Sequence, residues 1–220
     1  MCILFLSAFL SFNLAVAQVD TVTVASPADT LVKDLPMTVI PIPEDEPVMR
    51  PQPIPHLKFK GIPLSGSPEV FGLQLVRKGY RNIQGLHYSG PFAGVENAHL
   101  FVSCDEGSVW KVTVVFPPCH NWLDAKNLYA KFKNWIAWKY VTEPVMVRER
   151  LTPKFKEGCG QEAWGFEMGV SVYECTFDFA EGTIVPRIIY DKPSSGLSVC
   201  IDYIDRVNSI IKEEKDMEDL

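Results

Sequence analysis

Two stretches of the chain place apolar residues every three to four positions, the spacing that gives a helix one buried face. In the first, Val70, Phe71, Leu73, Leu75 and Val76 follow Ser67-Pro68-Glu69. That triplet supplies a hydroxyl to accept an orphan amide, a proline in the first turn and an acid facing the helix dipole. Arg77-Lys78-Gly79 marks the end, with cations at the carbonyl terminus and a glycine just beyond. The second stretch begins at Asn121, a capping residue, and runs to about Tyr140. Ala125, Leu128, Tyr129, Phe132, Trp135 and Ile136 form its stripe, and Lys126, Lys131, Lys133 and Asn134 lie between them. At 100° per residue Trp138 falls off that stripe.

Elsewhere the period is two, which predicts strands. His56–Gly66 opens with alternating Leu57 and Phe59 before turning through Gly61, Pro63 and Gly66. Leu86–Tyr88 is followed by the loop SGPFAG, and then by Ala98–Cys104. In SVWKVTVVF, Trp110, Val112, Val114 and Phe116 share a face opposite Lys111 and Thr113, and Asp105-Glu106-Gly107 makes the preceding run its hairpin partner. PVMVRERL, SVYECTFDF, TIVPRIIYD and LSVCIDYID complete the set, with Pro186 marking an edge or a bulge. Residues 152–169 form an irregular glycine-containing stretch. A short helix from about Asp205 to Lys212 leads into an acidic tail, 213–220.

Short connections between these strands predict an α+β domain from 56 to about 212. Its sheet is mainly antiparallel and both helices pack on one face. The order of elements allows a tandem α-β-β-β duplication with halves at about 56–118 and 119–212.

The leading segments differ in kind. Residues 2–17 are uncharged and mostly apolar and end in Ala15-Val16-Ala17, a small-x-small site that predicts a signal peptide over 1–17 cleaved before Gln18. Nothing charged precedes Asp20, whereas signal peptides ordinarily begin with a cation. The run is too short and too polar, with Ser7, Ser11 and Asn13, to serve as a membrane span. Residues 18–55 read as an extended linker, because seven of the twenty residues from Pro36 to Pro55 are proline. The expected location is therefore the periplasm or outside the cell.

Overall the chain has 220 residues, 47% hydrophobic, with 21 basic and 27 acidic side chains for a net charge of −6. That balance argues against nucleic acid as a partner. Export leaves five cysteines: Cys104, Cys119, Cys159, Cys175 and Cys200. Alternation puts Cys175 and Cys200 on opposite sides of a sheet. A pair such as Cys119 with Cys159 stays open beside the reading of five free thiols.

The segment HLKFKGIPLSGSPEVFGLQLVRKGY, with GLHYSGPFAG and the later LSVCIDYIDRVN, resembles an uncharacterised family of exported proteins from Gram-negative gut bacteria. The shared features are an F-K-G-I-P strand, a helix ending in K-G-Y, a G-P-F-A-G loop, a tryptophan-bearing second helix and a final strand with Y-x-D. The resemblance implies an exported α+β domain and carries no catalytic residues. A looser, purely topological likeness holds to inhibitor-like folds made of two helix-plus-sheet halves, in which an exposed sheet face binds a protein.

Reactive motifs are missing from the sequence. There is no G-x-S-x-G elbow, no H-x-x-x-H or C-x-x-C metal spacing and no phosphate-cradling glycine loop. Cys104 is followed by Asp105 and Glu106, which work against a thiolate. No metal or other cofactor is expected. Glu167, Glu174, Asp178 and Asp202 are available for a carboxylate pair, so a hydrolase assembled from distant strands is the alternative reading. By elimination the sequence points to a non-enzymatic binding domain that recognises a protein or polysaccharide of the cell envelope. Its candidate ligand-binding residues are Trp138, Phe155, Trp164 and Phe166, large aromatics off the helix stripe or in the irregular stretch. The competing reading folds these rings into the core. A third role, assembly component delivered by the proline-rich arm, uses the same features.

Overall fold

Ser67 turns the chain into helix α1 (Pro68–Arg77) by accepting the Val70 amide, with proline in the first turn. At the other end the Tyr80 amide donates to the Leu75 carbonyl and the Gly79 amide to that of Val76. This is a Schellman closure, and it needs Gly79 at a φ of 92°. Asn121 starts helix α2 (Trp122–Tyr140) in the same way, its side chain accepting the Asp124 amide at 2.9 Å. The computed structural model describes residues 54–218, so the expected signal peptide over 1–17 and most of the expected linker over 18–55 lie outside the described residues.

A small hairpin of β1 (Lys58–Phe59) and β2 (Ile62–Pro63) precedes α1. Four strands follow it: β3 (Arg81–Gln84), β4 (His87–Phe92), β5 (Val95–Asp105) and β6 (Ser108–Val115). After α2 come β7 (Met146–Arg150), a 3-10 turn at Pro153–Phe155, and helix α3 (Glu162–Glu167). Strands β8 (Val172–Phe179), β9 (Gly182–Asp191) and β10 (Gly196–Asp205) and helix α4 (Arg206–Glu218) complete the order. The eight strands β3 to β10 form one antiparallel sheet in the order β3-β4-β5-β6-β10-β9-β8-β7. The fold is α+β. Two four-stranded meanders meet where β6 pairs with β10, Val114 opposite Ile201 and Thr113 opposite Asp202.

Register sorts the side chains into two faces. On the inner face Tyr88, Leu100, Val114 and Ile201 form one cross-strand row, and Val102, Val112, Tyr203 and Ile184 the next. Helices cover this side. Phe132 of α2 stacks on Phe116 with centroids 4.3 Å apart, and Gly72 of α1 sits against the Tyr88 hydroxyl. Tyr129 and Lys133 both donate to Glu149, at 3.0 and 2.6 Å, tying α2 to the edge strand β7.

Several expectations need correction. The first half has four strands after its helix, since β3 was not legible in Arg81–Gln84, all four of whose residues are exposed, and in the second half α3 interrupts the four strands. No residue-level repeat accompanies that order, and a tandem duplication is not established. The loop SGPFAG is largely strand, with only Ala93 and Gly94 taking the positive φ of a turn. Pro186 lies inside the sheet between β10 and β8, not at an edge. The ladder to β8 lapses opposite it, between the pairs Glu174–Arg187 and Phe177–Ile184, which accommodates the missing N–H. The stretch 152–169 contains the 3-10 turn and α3. Helix α4 continues through most of the presumed acidic tail, held by the i,i+4 pair Lys212–Asp216 and by Lys215 reaching Glu106. Trp135, placed on the core stripe, is instead half exposed under Lys131, whose ammonium lies 4.3 Å from its ring centroid.

Gly182 starts β9 at a φ of 154°, and a Cβ there would overlap the Ile204 carbonyl oxygen, a backbone atom that cannot swing away. A Cβ on Gly72 meets the hydroxyl and the adjoining ring carbons of Tyr88, the far end of a side chain and no backbone atom, and gains about 1 kcal/mol of helix propensity. Urea unfolding should therefore show Gly182→Ala lowering stability by about 3 kcal/mol or more, and Gly72→Ala by about 1 kcal/mol. Equal losses would mean that the β9 bend is not packed this way.

Candidate functional site

The strands' alternate residues build the second face of the sheet, and none of the buried side chains of α1 or α2 lies against it. One row crosses all eight strands: Arg81, Ser89, His99, Val115, Cys200, Arg187, Glu174 and Arg148. The next carries His87, Phe101, Thr113, Asp202 and Val185, with Thr176 and Met146 at the far side. Antiparallel sheets tolerate such a solvated face. Its content is a chain of alternating charge. Asp202, 4% exposed, lies 3.2 Å from Lys111 and 3.1 Å from Arg187 and accepts the Thr113 hydroxyl at 2.5 Å. Arg148 pairs with Glu174 on the outermost strands.

Cys200 lies fully buried in this network, and burial, only partly countered by Arg187, pushes its thiol up to about 12. It is an inert thiol. Cys175 faces the core on the opposite side, as alternation predicts, and burial raises its pKa as well. All five described cysteines are free, so the Cys119–Cys159 pairing does not form here. At the β4–β5 side, His87 Nε2 and His99 Nδ1 are 2.9 Å apart, and the His87 ring stacks on Phe101 at 4.4 Å. Phe101 itself is 43% exposed.

The four aromatic candidates do not form one surface. Phe155 is 4% exposed and backs onto Gly165. Phe166 is half buried against Trp122 and Tyr173. These two rings belong to the core. Trp138 and Trp164 are open to solvent, at 83% and 61%. Trp164 belongs to α3, whose Phe166 packs beside Trp122 at the start of α2. Trp138 lies 16 residues further along that helix, roughly 24 Å away at 1.5 Å per residue. Of the four carboxylates considered for hydrolysis, Glu174, Asp178 and Asp202 are each held by a cation, Asp178 by Arg206. Among the described residues no group of three or more His, Cys, Asp or Glu side chains converges to hold a metal. No helix among them is long and apolar enough to cross a membrane.

The family-like motifs converge elsewhere. Phe59 of F-K-G-I-P stacks on Phe92 of G-P-F-A-G with centroids 5.7 Å apart and meets Tyr203 of Y-x-D edge-on at 5.2 Å. Tyr80 of K-G-Y lies over Gly90, where a Cβ would collide with its ring, and donates to the Pro91 carbonyl at 2.9 Å. Asp205 of the same Y-x-D, fully buried, accepts the Leu57 amide at 2.8 Å and the Asn208 amide at 3.0 Å and contacts His56 Nδ1 at 3.0 Å. It thereby caps α4 and fastens His56 and Leu57 to the end of β10. The motifs are thus one structural node. No family model matches the chain, and no curated protein or solved structure matches it either.

Sequence reasoning missed the charged ladder. The polar alternation in KVTVV, RIIY and CIDY was visible, but which strands lie side by side was not.

Burial and the neighbouring His99 both lower the His87 pKa below its ordinary value. The unfolded chain therefore takes up a proton first as pH falls, so His87 contributes stability above about pH 6.5 that fades below it. Urea midpoints at pH 7.5 and 5.5 should differ less in His87→Gln than in the parent chain. An unchanged or larger difference would contradict the paired-imidazole geometry.

Proposed function

We propose that this chain is an exported, non-enzymatic binding domain of the cell envelope that docks a protein partner through the open face of its eight-stranded sheet. One observation carries the reading. Helices α1 and α2 pack on one side, and the other side presents Phe101, Val115, Val185, Ile189 and Met146 around the mutually paired Lys111, Arg187 and Asp202. Apolar contact area with an aromatic anchor and arginine is the composition favoured at protein interfaces. Charges that bring their own counter-charge are also less expensive to cover than lone ones. Asp202 is already out of water before any partner arrives. The separation of Trp138 from Trp164 weakens the polysaccharide alternative, since a sugar platform uses rings that act together. Export rests on the apolar leader and the Ala15-Val16-Ala17 site.

A photoreactive benzoylphenylalanine placed at Phe101 or Met146 in the native host should give a discrete cross-linked product in the envelope fraction. The same group at Val70 or Leu73, exposed on α1, should give none. Products confined to the α1 positions, or none at the sheet positions, would refute the assignment of the face.

A further inference from the structure

On the helix-covered side, the β1–β2 hairpin and the C-terminal half of α2 enclose a cleft of about 230 Å³. We infer that this cleft binds a small anionic amphiphile, a carboxylate or sulfonate carried on one ring system or a short acyl chain.

The rings of Phe92, Trp135, Tyr140 and Tyr203 line the space, and apolar lining favours an apolar body. The volume is under the roughly 300 Å³ at which pockets begin to hold drug-sized ligands, which limits the guest to a single tail or ring system. Charge selects the head group. Lys58, Lys60 and Lys139 all border the cleft and no carboxylate does, in a chain whose net charge is −6. None of the three lysines is ion-paired among the described residues. Lys60 Nζ lies 5.2 Å from the Phe92 centroid and Lys139 Nζ 4.8 Å from that of Tyr140, so aromatic faces hold two of the cations at the cleft. Tyr203 adds a hydroxyl with no hydrogen-bond partner among the described residues. Burial raises its pKa, so it stays protonated and able to donate. This inference does not rest on the sheet-face reading, because the cleft is on the opposite side of the sheet.

The test compares octanoate, octanol and octyltrimethylammonium, each below its self-association concentration, by titration calorimetry and tryptophan emission on the full chain. Octanoate should bind roughly tenfold more tightly than either analogue of equal tail length. The triple variant Lys58→Gln/Lys60→Gln/Lys139→Gln, altered only at the cleft's ammonium groups and checked for parental circular dichroism, should lose that preference. Ile136→Trp should abolish binding of all three by filling the cleft. Equal affinity for the three ligands, no binding of octanoate, or a preference that survives loss of the lysines would overturn the inference.

Discussion

Everything in this fold depends on β6 finding β10. The two strands are brought together from positions 89 residues apart, Thr113 with Asp202, and closing a loop of that length is an entropic cost that local contacts do not offset. Once made, the pairing does two things at once. On the inner side it sets Val114 against Ile201 and Val112 against Tyr203, which makes the cores beneath α1 and α2 continuous. On the outer side it brings Lys111 and Thr113 to Asp202, so the carboxylate that β10 buries is neutralised by its new neighbour. A carboxylate in that position without its cations would strongly disfavour the sheet. The same residues therefore specify the register and account for the charge on the open face.

A second node closes the molecule at the end of β10. Tyr203 and Asp205 alternate, one entering the aromatic cluster with Phe59 and Phe92, the other capping α4 and gripping His56 and Leu57. The short hairpin of β1 and β2 would be marginal alone. Here it is clasped between that cluster and Asp205. The consequence is the lysine-rimmed cleft, since the hairpin that carries Lys58 and Lys60 is placed beside α2 by these contacts.

Much of this was legible in the sequence wherever a local rule decided the outcome. Ser67 and Asn121 cap the helices predicted from them, Gly79 ends α1, and the two-residue period put Cys175 and Cys200 on opposite faces. The α+β class and the one-sided helices followed from the same patterns. What was not legible depended on neighbours. Arg81–Gln84 carries no apolar alternation because an exposed edge strand needs none. Pro186 reads as the mark of an edge or a bulge until the sheet shows an interior strand whose ladder lapses on one side only. Phe155 and Phe166 looked like exposed anchors because their stretch lacks a period, yet α3 folds them inward. The charged ladder needed the strand order, which no spacing within a single strand contains.

The contrast between the two faces gives the functional argument its shape. One is filled by helices and aromatic stacking and retains a small cationic cleft. The other is a broad surface of largely paired charge with apolar residues between. Both require that the two meanders behave as one body. Native-state hydrogen exchange across the sheet is the most direct measurement of that. The β6 and β10 amides should be the slowest, opening at the same free energy as the interior strands β5 and β9. If β3 to β6 instead opened several kcal/mol more easily than β8 to β10, the meanders would be separate units and the single continuous sheet would not be the constraint that organises this protein.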